Sequence, residues 1–535
     1  MKLTIISYSI YFFRKKVILM EKRETWSSRA TFILAAIGSA VGLGNAWRFP
    51  GLAAKYGGGA FLLVYTIAML VLGIPLLTME IAIGRKTKQG APGTFRVMNK
   101  KTEFVGWAAT TNAFAISVYY AVVFAWVLLM AVFSFKFAGM VGDPKSASSL
   151  FGDITQTSWT ISGIKIPLVL AIVLLVAWIL IYACIRKGTV SVGKVVKYTG
   201  LTLPLIFLII MAIKGISMDG GVDGLVKLFL PNFQEVTNNG LWSNLIIDAI
   251  GQVFYSLSIM MAIMIAYGSY LKESANIAKD ALIIAFADLA VSIISGIVMF
   301  TTMYGVGMTT GDMSASGIAT AFIIFPEAIA NLTNTGWINA VFGCIFYLCL
   351  ASLAVDSAFS IVEGVSTAIS DRFKLKPRKT TKILCIVAGV ISIVFITESG
   401  LAWLDIVDNW TNQYNKIVIG VLECIVVGLV FKPKRVLEEI NKNTNKYRMP
   451  TWWFVTSIKF LAPIVLTGFC LWNLYNLFVS GGIYGSDSGY PLWSNIVGGW
   501  AVTILVFACG FIAKGIIKYR KKKDNTFVDD ESTWM

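Results

Sequence analysis

The sequence contains no histidine and carries few charged residues for its size. Without histidine there is no histidine-ligated metal site, no Ser-His-Asp triad and no histidine proton relay. No segment matches the phosphate-binding pattern G-x-x-x-x-G-K-[ST], which argues against an ATP-driven pump. A G-x-S-x-G nucleophile motif and a Cys or His metal set are also missing, so nothing supports an integral membrane enzyme or assigns a catalytic residue.

Disulfide bonds are not expected either. Each of the seven cysteines lies inside an apolar stretch, and none falls in a loop on the outer side. The cysteines are Cys184, Cys344, Cys349, Cys385, Cys424, Cys470 and Cys509.

Long apolar runs dominate what is present. Only 14% of the 535 residues are charged, against about 25% in a typical soluble domain, while 56% are hydrophobic and the mean hydropathy is +0.73. A membrane-spanning helix needs about 20 apolar residues, and twelve stretches meet that length. The sequence therefore predicts an all-α polytopic membrane protein with twelve transmembrane helices, near 30–54, 60–84, 104–136, 166–185, 191–213, 244–272, 279–309, 335–371, 380–397, 399–431, 452–479 and 493–518.

Basic residues are distributed unevenly between the two sides of these spans. Alternate connecting segments hold 33 of the 46 Lys and Arg residues, whereas the segments on the other side hold six. This is the positive-inside asymmetry. It predicts cytoplasmic termini and an even number of spans, and it explains the net charge of +17 without a nucleic-acid partner.

The ends and one loop have their own predictions. Residues 1–29 form a cytoplasmic N-terminus, in which 1–19 are interpreted as an upstream extension before a start at Met20. Residues 519–535 form a charged cytoplasmic tail. The apolar part of 310–334 is interpreted as a re-entrant or surface helix broken at Pro326.

Two spans contain signals for a broken helix. The first has Gly38, Gly42 and Gly44 followed by Asn45, and the sixth has Ser256-Leu257-Ser258 inside an apolar run. Each glycine lowers helix stability by roughly 1 kcal/mol. Breaks at corresponding positions of two halves indicate a midplane binding site in a transporter with an inverted repeat. The alternative is a close-packing face built on small residues.

Acidic residues inside spans are costly and therefore functional candidates. Asp288 and Asp356 lie at the centres of apolar segments, beside the hydroxyls of Ser292 and Ser357. A carboxylate, a hydroxyl and freed backbone carbonyls form an oxygen cage that suits a hard cation. The alternative is a buried acid with a structural role. The other candidates are Glu80, Asp248, Glu363, Asp405, Asp408 and Glu423.

Several short motifs are more distinctive than these single residues. They are Arg23-Glu24-Thr25-Trp26, the run from Ala40 to Pro50 (AVGLGNAWRFP), Gly57-Gly58-Gly59-Ala60-Phe61, Gly73-Ile74-Pro75 with Glu80, the run from Gly251 to Ser258 (GQVFYSLS) and Asp356-Ser357-Ala358-Phe359. From about residue 21 to 431 they closely resemble the neurotransmitter:sodium symporter family.

The resemblance implies a LeuT-type fold, a 5+5 inverted repeat with broken first and sixth helices. Residues 30–215 would form the first repeat (helices 1–5) and 240–431 the second (helices 6–10). Helices 11 and 12, at 452–518, would lie outside the repeat and offer a possible homodimer contact.

The resemblance also implies sodium-driven amino acid uptake with two sodium sites. The first would use the Ala40 carbonyl, Asn45, Ser256, Asp288 and the substrate carboxylate. The second would use the carbonyls of Gly38, Val41 and Leu353 with Asp356 and Ser357.

The implied substrate site lies between the two sodium sites. The substrate carboxylate would rest on the N–H groups of Leu43 and Gly44, where the helix dipole favours an anion. The pocket would be lined by Ser39, Ala40, Ile116, Tyr120, Tyr255, Ser258, Met261, Ser357 and Ile361, with Tyr120 donating its hydroxyl and Tyr255 as a lid. Arg48 with Asp408 would form the outer gate, and Arg23 with Asp371 the inner gate.

Two residues of the implied site refine the expected cargo, and a third feature concerns the break in the sixth span. Gly42 stands where monoamine carriers have an Asp, so the cargo is expected to bring its own carboxylate. Met261 replaces a frequent aromatic residue, and its flexible thioether adapts to varied side chains. A hydrophobic or aromatic amino acid is therefore expected. The 258–262 segment lacks the glycines of its relatives, which leaves the extent of unwinding open.

Asp288 stands where the family usually has Asn. Chloride-dependent members bind the anion near the equivalents of Tyr65, Gln252, Ser256 and Ser292. A carboxylate at Asp288 would repel a second anion by about 4 kcal/mol at an effective dielectric constant near 20. Transport is therefore expected to need no chloride.

The leading interpretation is a bacterial sodium-coupled symporter in the plasma membrane. Its partners would be an amino acid, sodium ions and the lipid bilayer. Two alternatives stay open: proton coupling through Asp288 or Asp356, and a substrate-sensing receptor on the same fold.

Overall fold

The computed structural model describes residues 24–313, 316–442, 444, 446–479, 481, 483–523 and 534. The proposed upstream extension, and Arg23 of the expected inner gate, lie outside this range.

Within the residues that the structure describes, ten helices are long and apolar enough to cross a membrane. We number the spans 1 to 12 in chain order and give spans 1 and 6 below. The ten are span 2 Gly59–Thr87, span 3 Glu103–Gly139, span 4 Leu168–Ile185, span 5 Thr189–Ile216, span 7 Ile277–Gly305, span 8 Gly336–Phe373, span 9 Pro377–Ile396, span 10 Gly400–Phe431, span 11 Thr451–Val479 and span 12 Leu492–Lys523.

Span 1 is broken in the middle, as the glycines predict. Its first half, Arg29–Ala40, begins with the Ser28 side chain accepting a hydrogen bond from the Thr31 N–H. Val41 then takes an extended conformation, and the helix resumes as Gly44–Lys55 at an angle of 50°. The first turn of the second half is π-helical. Such turns often occur at functional sites.

Span 6 is broken without glycine. Its first half, Trp242–Ser256, is followed by the non-helical segment 257–262 and a second half, Ile263–Ser269. Ser258, Met260 and Ala262 have φ values of 53°, 63° and 61°. This left-handed region costs a non-glycine residue roughly 1–2 kcal/mol. The two halves overlap the sixth span that the sequence predicts, 244–272, although neither half is by itself long enough to cross a membrane.

The Glu80 side chain stabilises this unwound segment from span 2. Its carboxylate accepts a 2.6 Å hydrogen bond from the Met260 backbone N–H. Both residues are fully buried, and a buried N–H without a partner is expensive. Span 2 thus supplies the acceptor that a continuous helix would have supplied within span 6.

Gly317–Ala330 corrects one expectation. The helix is not broken at Pro326 but runs through it as a single apolar segment. A π-helical turn, Thr320–Ile324, precedes the proline, and Pro326 then stands at the start of an α-helical turn. The π-helical turn accommodates the proline because its Ala321 carbonyl accepts a 2.8 Å hydrogen bond from the Tyr347 hydroxyl and so does not need a backbone N–H.

The spans are buried to different extents. In the most apolar window of span 3, 78% of residues are buried, against 28–33% in spans 4, 5, 11 and 12. Outward faces of the outer spans carry large apolar residues such as Leu175, Ile179 and Phe511. Spans 2, 3, 8 and 10, with 56–78% of these windows buried, therefore lie further inside the bundle than spans 4, 5, 11 and 12. Most residues of spans 1 and 6 are buried as well.

The strain in span 6 leads to a first prediction. Replacing Ala262 by Gly should raise the free energy of unfolding by about 1 kcal/mol, because glycine adopts positive φ without steric cost. Thermal unfolding of the purified protein in detergent measures the change. Ala266→Gly, one helical turn later and equally buried, is the control and should destabilise by about 1 kcal/mol. An equal loss of unfolding free energy in both variants would contradict backbone strain at Ala262.

Candidate functional site at the two helix breaks

The break in span 1 is joined to spans 6 and 8 through one carbonyl. The Ser39 carbonyl accepts a 2.7 Å hydrogen bond from the Ser258 hydroxyl and a 3.4 Å contact from the Ser357 hydroxyl. The Ser39 hydroxyl itself is buried without a partner. Hydroxyls are well suited to this role because they can donate to a freed carbonyl and still accept from a ligand.

Asn45 and Asp288 form the first polar cluster. The Asn45 amide nitrogen lies 2.7 Å from an Asp288 carboxylate oxygen, and also donates to the Ser256 and Ser292 hydroxyls at 3.1 and 2.8 Å. The Ser256 hydroxyl donates to the other Asp288 oxygen. The structure thus brings together three side chains that the sequence assigned to the first sodium site. The Ala40 carbonyl stands at the end of the first half of span 1.

The Asp288 carboxylate also contacts the expected chloride-site residues. The Tyr65 hydroxyl lies 3.3 Å from Asp288 Oδ2 and 3.4 Å from Ser256 Oγ. The fourth expected chloride-site residue, Gln252, instead donates a 3.0 Å hydrogen bond from its side-chain amide to the Gly44 carbonyl. The negative charge of Asp288 therefore lies among these hydroxyls.

Asp356 forms the second cluster, between spans 1, 5 and 8. One carboxylate oxygen accepts a 2.6 Å hydrogen bond from the Thr199 hydroxyl. The other is buried without a partner and lies only 2.5 Å from where a Cβ on Gly38 would stand. Any side chain at position 38 would meet it, so Gly38 leaves this oxygen free for a ligand. Val41 and Leu353, whose carbonyls the sequence adds to this site, are buried nearby on spans 1 and 8.

Tyr120 closes the region over the start of the second half of span 1. Its hydroxyl faces the Leu43 N–H and the Ser357 side chain. A Cβ on Gly42 would lie 3.4 Å from this hydroxyl and 2.6 Å from Ser357 Oγ. The Leu43 N–H is therefore directed at an oxygen acceptor.

Gly44 and Tyr255 are in direct contact. The Tyr255 ring packs on Gly44, where a Cβ would collide with the ring edge. Glycine is therefore required for the ring to lie against the helix start. The remaining predicted pocket residues, Ile116, Met261 and Ile361, are all buried.

The expected outer gate is not closed by a salt bridge. Asp408 accepts hydrogen bonds from the Tyr119 hydroxyl at 2.7 Å and from the Asn412 amide at 2.9 Å. The Arg48 guanidinium lies instead over the Tyr255 ring, 5.6 Å from its centroid. Two neutral donors thus satisfy the carboxylate that the sequence paired with Arg48, and the direct Arg48–Asp408 pair is corrected here.

At the expected inner gate, Asp371 accepts a 2.7 Å hydrogen bond from the Gly90 N–H. Beside the expected inner gate, Trp26 makes more extensive contacts than Asp371 does. Its indole donates to the Tyr267 carbonyl at 3.0 Å, and its ring packs edge-on against Tyr267 and Tyr270. These contacts hold the N-terminal segment against the second half of span 6.

Sequence reasoning missed Thr199 and Lys416, and it named Glu80 without a role. Thr199 carries no signal in a sequence, because its contact to Asp356 depends on the packing of span 5. Lys416 could have been found, since a lone lysine in an apolar span is as costly as an acid.

No group of three His, Cys, Asp or Glu side chains in the described part of the chain could hold a metal ion. Each cluster has instead one carboxylate with hydroxyl, amide and carbonyl oxygens. Such a set suits a weakly held, exchangeable hard cation and not a resident transition metal.

Comparisons with known proteins agree with this geometry. The model of the sodium:neurotransmitter symporter family matches residues 23–140 and 153–520. An uncharacterised sodium-dependent transporter of Methanocaldococcus jannaschii is 32% identical, over 94% of this chain and 98% of its own length.

Two animal relatives are similar over most of their length. The sodium-dependent neutral amino acid transporter B(0)AT3 of Rattus norvegicus is 29% identical, covering 85% of each chain. The sodium- and chloride-dependent creatine transporter 1 of Bos taurus is 27% identical, covering 92% of this chain and 83% of its own. These relatives are transporters and not enzymes. The family model covers most of the chain, and the described residues contain ten apolar spans and two broken helices. The chain belongs to the sodium:neurotransmitter symporter family, whose members are sodium-dependent membrane transporters.

Proposed function

We propose that this protein imports a neutral amino acid with a hydrophobic or aromatic side chain, driven by two sodium ions. The observation that carries the proposal is the pair of oxygen-rich clusters at the helix breaks, one around Asp288 and one around Asp356. Between them lies a helix start whose N–H groups suit a carboxylate. Creatine and GABA carriers are also relatives, so the family alone does not choose the cargo.

The sodium ions are treated as cargo. The fit is clearest at Asp356, where a buried oxygen has no partner and Gly38 leaves space beside it. At Asp288, the Asn45 amide oxygen now accepts a 2.9 Å hydrogen bond from the Gly42 N–H. This oxygen must turn away from the Gly42 N–H to bind sodium. We infer that sodium uptake at this site exchanges hydrogen bonds for ion contacts.

Cargo recognition follows from the start of the second half of span 1. The carboxylate would replace the Tyr120 hydroxyl as acceptor of the Leu43 N–H, and Tyr120 would then donate to the carboxylate. Gly42 supports this assignment because it brings no acid of its own. The buried apolar side chains of Ile116, Met261 and Ile361 support an apolar cargo side chain.

Transport by alternating access would move the two halves, 30–215 and 240–431, around this site. Tyr255 on the outer side and Trp26 on the inner side are positioned to control access. We further propose a plasma-membrane location with cytoplasmic termini, supported by the basic-residue asymmetry. Spans 11 and 12 would be available for a homodimer.

Uptake of radiolabelled amino acids into proteoliposomes tests the proposal. With a sodium gradient, leucine, methionine or an aromatic amino acid should accumulate, and replacing sodium by choline at fixed pH should abolish uptake. Uptake that follows a proton gradient without sodium would contradict sodium coupling. Sodium-dependent binding without any flux would identify a sensor. Uptake confined to glycine or glutamate would contradict the apolar cargo.

The Asp356 cluster gives a second prediction. Thr199→Val removes the hydrogen bond that orients this carboxylate but leaves the carboxylate itself. The sodium concentration for half-maximal uptake should rise about tenfold, as expected when an orienting partner of a metal ligand is lost. Asp356→Asn should lose sodium-driven uptake altogether. Thr66→Val is the control, because the Thr66 hydroxyl donates only within its own helix, to the Leu62 carbonyl. An equal rise of the half-maximal sodium concentration in this control would contradict the assignment of Asp356 to a sodium site.

Chloride independence gives a third prediction. Wild-type uptake should be unchanged when gluconate replaces chloride, since the Asp288 carboxylate already supplies a negative charge beside Tyr65 and Ser256. Asp288→Asn should either gain stimulation by chloride or lose transport. Thr199→Val, which keeps its uptake at a raised sodium concentration, is the control and should show no response to chloride. Loss of wild-type uptake in gluconate would overturn this account.

A further inference from the structure

An exposed tyrosine ring between spans 10 and 11 carries two ammonium groups. The Tyr447 residue is 40% exposed. The ammonium nitrogen of Lys279, from the first turn of span 7, lies 4.8 Å from the ring centroid, and that of Lys446 lies 5.9 Å from it. The exposed Arg448 follows directly in the chain. We refer to Lys279, Lys446, Tyr447 and Arg448 together as the Tyr447 patch.

Hydrogen bonds fix the shape of the segment that carries this patch. Asn441, at the end of the short helix after span 10, accepts from the Met449 N–H at 2.9 Å and donates to the Met449 carbonyl at 3.1 Å. The Thr444 hydroxyl accepts from the Tyr447 N–H at 3.0 Å, and the Thr444 carbonyl accepts from Arg448 Nε at 3.1 Å. The ring and its cations therefore have a defined position relative to span 7.

The positive charges of the Tyr447 patch are not neutralised by the protein. None of its three basic side chains forms an ion pair within the part of the chain that the structure describes. The neighbouring acids are engaged with other cations. Asp280 accepts a 2.7 Å hydrogen bond from Arg29, and Glu273 pairs with Lys442 at 3.4 Å. Because like charges repel, an anion bound between the cations of the patch would be stabilising.

The surface beside the Tyr447 patch is apolar. Ile283 and Phe286 follow Lys279 by one and two helical turns, so they lie on the same face of span 7. They are 37% and 51% exposed. At the start of span 11, Trp452 is 74% exposed, and tryptophan is enriched where a membrane meets water. The patch therefore lies where the apolar surface of two spans begins, at the level of lipid headgroups.

We propose that the Tyr447 patch binds the phosphate headgroup of one anionic phospholipid. Ammonium groups supply point charges and a guanidinium supplies a planar pair of donors, a combination that suits a phosphate. The exposed apolar faces of spans 7 and 11 would receive the acyl chains. A soluble phosphate would meet the same charges but would leave these faces uncovered, so the surroundings favour a lipid. Only the placement of the site in the cytoplasmic leaflet rests on the topology in the proposed function.

Native mass spectrometry of the purified full-length protein in detergent tests the site. Dioleoylphosphatidylglycerol is titrated, and the affinity for the first bound lipid is compared with that for dioleoylphosphatidylcholine, which has the same chains and no net charge. The wild type should bind the anionic lipid more tightly by about 30-fold or more. The double variant Lys279→Gln/Lys446→Gln should lose about 30-fold for the anionic lipid, roughly fivefold per basic residue, and bind the neutral lipid as before.

A matched double variant separates this site from a general effect of charge. Lys376→Gln/Lys379→Gln removes two exposed charges at the start of span 9, at the same end of the bundle. Its affinity for phosphatidylglycerol should fall by less than about threefold, because basic residues away from the bound headgroup are screened by salt. A loss equal to that of Lys279→Gln/Lys446→Gln would overturn the proposal.

Two further measurements keep the result interpretable. All four lysines lie at the surface, so both double variants should unfold within about 2 °C of the wild type in lipid-free detergent. Tyr447→Leu keeps the charges and removes the ring that positions them, and it should weaken phosphatidylglycerol binding about threefold. Undiminished binding in both Tyr447→Leu and Lys279→Gln/Lys446→Gln would overturn the proposal.

Inorganic phosphate distinguishes a lipid site from a site for a soluble anion. At constant ionic strength, replacing chloride by phosphate should leave phosphatidylglycerol binding unchanged. Displacement of the lipid by phosphate, or equal binding of the anionic and the neutral lipid by the wild type, would contradict an anionic-lipid site. Lipid binding is measured without transport, so a failure of the uptake experiment would leave this result unaffected.

Discussion

Everything in this structure depends on the free peptide groups that two broken helices expose in the middle of a membrane. In a bilayer each unpaired N–H or C=O costs several kcal/mol, so a break survives only if other groups satisfy it. Side chains from neighbouring spans do this one group at a time. Glu80 accepts from the Met260 N–H, Ser258 donates to the Ser39 carbonyl, and Gln252 donates to the Gly44 carbonyl. The peptide groups that these side chains leave unpaired are available to a substrate.

The two acidic clusters differ in how many hydrogen-bond donors each carboxylate has. Asp288 is surrounded by neutral donors from Asn45, Ser256 and Tyr65, so its charge is already stabilised before any ion arrives. Asp356 has a single donor, Thr199, and keeps one oxygen free. The Asp288 carboxylate is therefore held in place by protein donors, whereas the free oxygen of Asp356 is open to a ligand. The same physical logic separates Asp408, which is satisfied by Tyr119 and Asn412, from Lys416, which is not satisfied.

Much of the fold could be predicted from the sequence because each span must be long and apolar. The break in span 1 was also visible, since its glycines weaken a helix directly. The extent of the break in span 6 was not, because residues with positive φ there are serine, methionine and alanine, held by tertiary contacts such as that of Glu80. The helix through Pro326 was misjudged because a π-helical turn upstream accommodates the proline. The Arg48–Asp408 pair was misjudged because neutral donors compete for a carboxylate, which no sequence pattern reveals. The contacts of Arg23 lie outside the described residues.

The central claim is that the peptide groups of 41–45 and 257–262 receive the cargo together with sodium. Hydrogen–deuterium exchange of the purified protein measures these backbone N–H groups directly. The account predicts strong protection of both segments when sodium and a transported amino acid are present together, and little change with choline in place of sodium. Protection that appears only elsewhere in the protein, or that is the same without sodium, would contradict it.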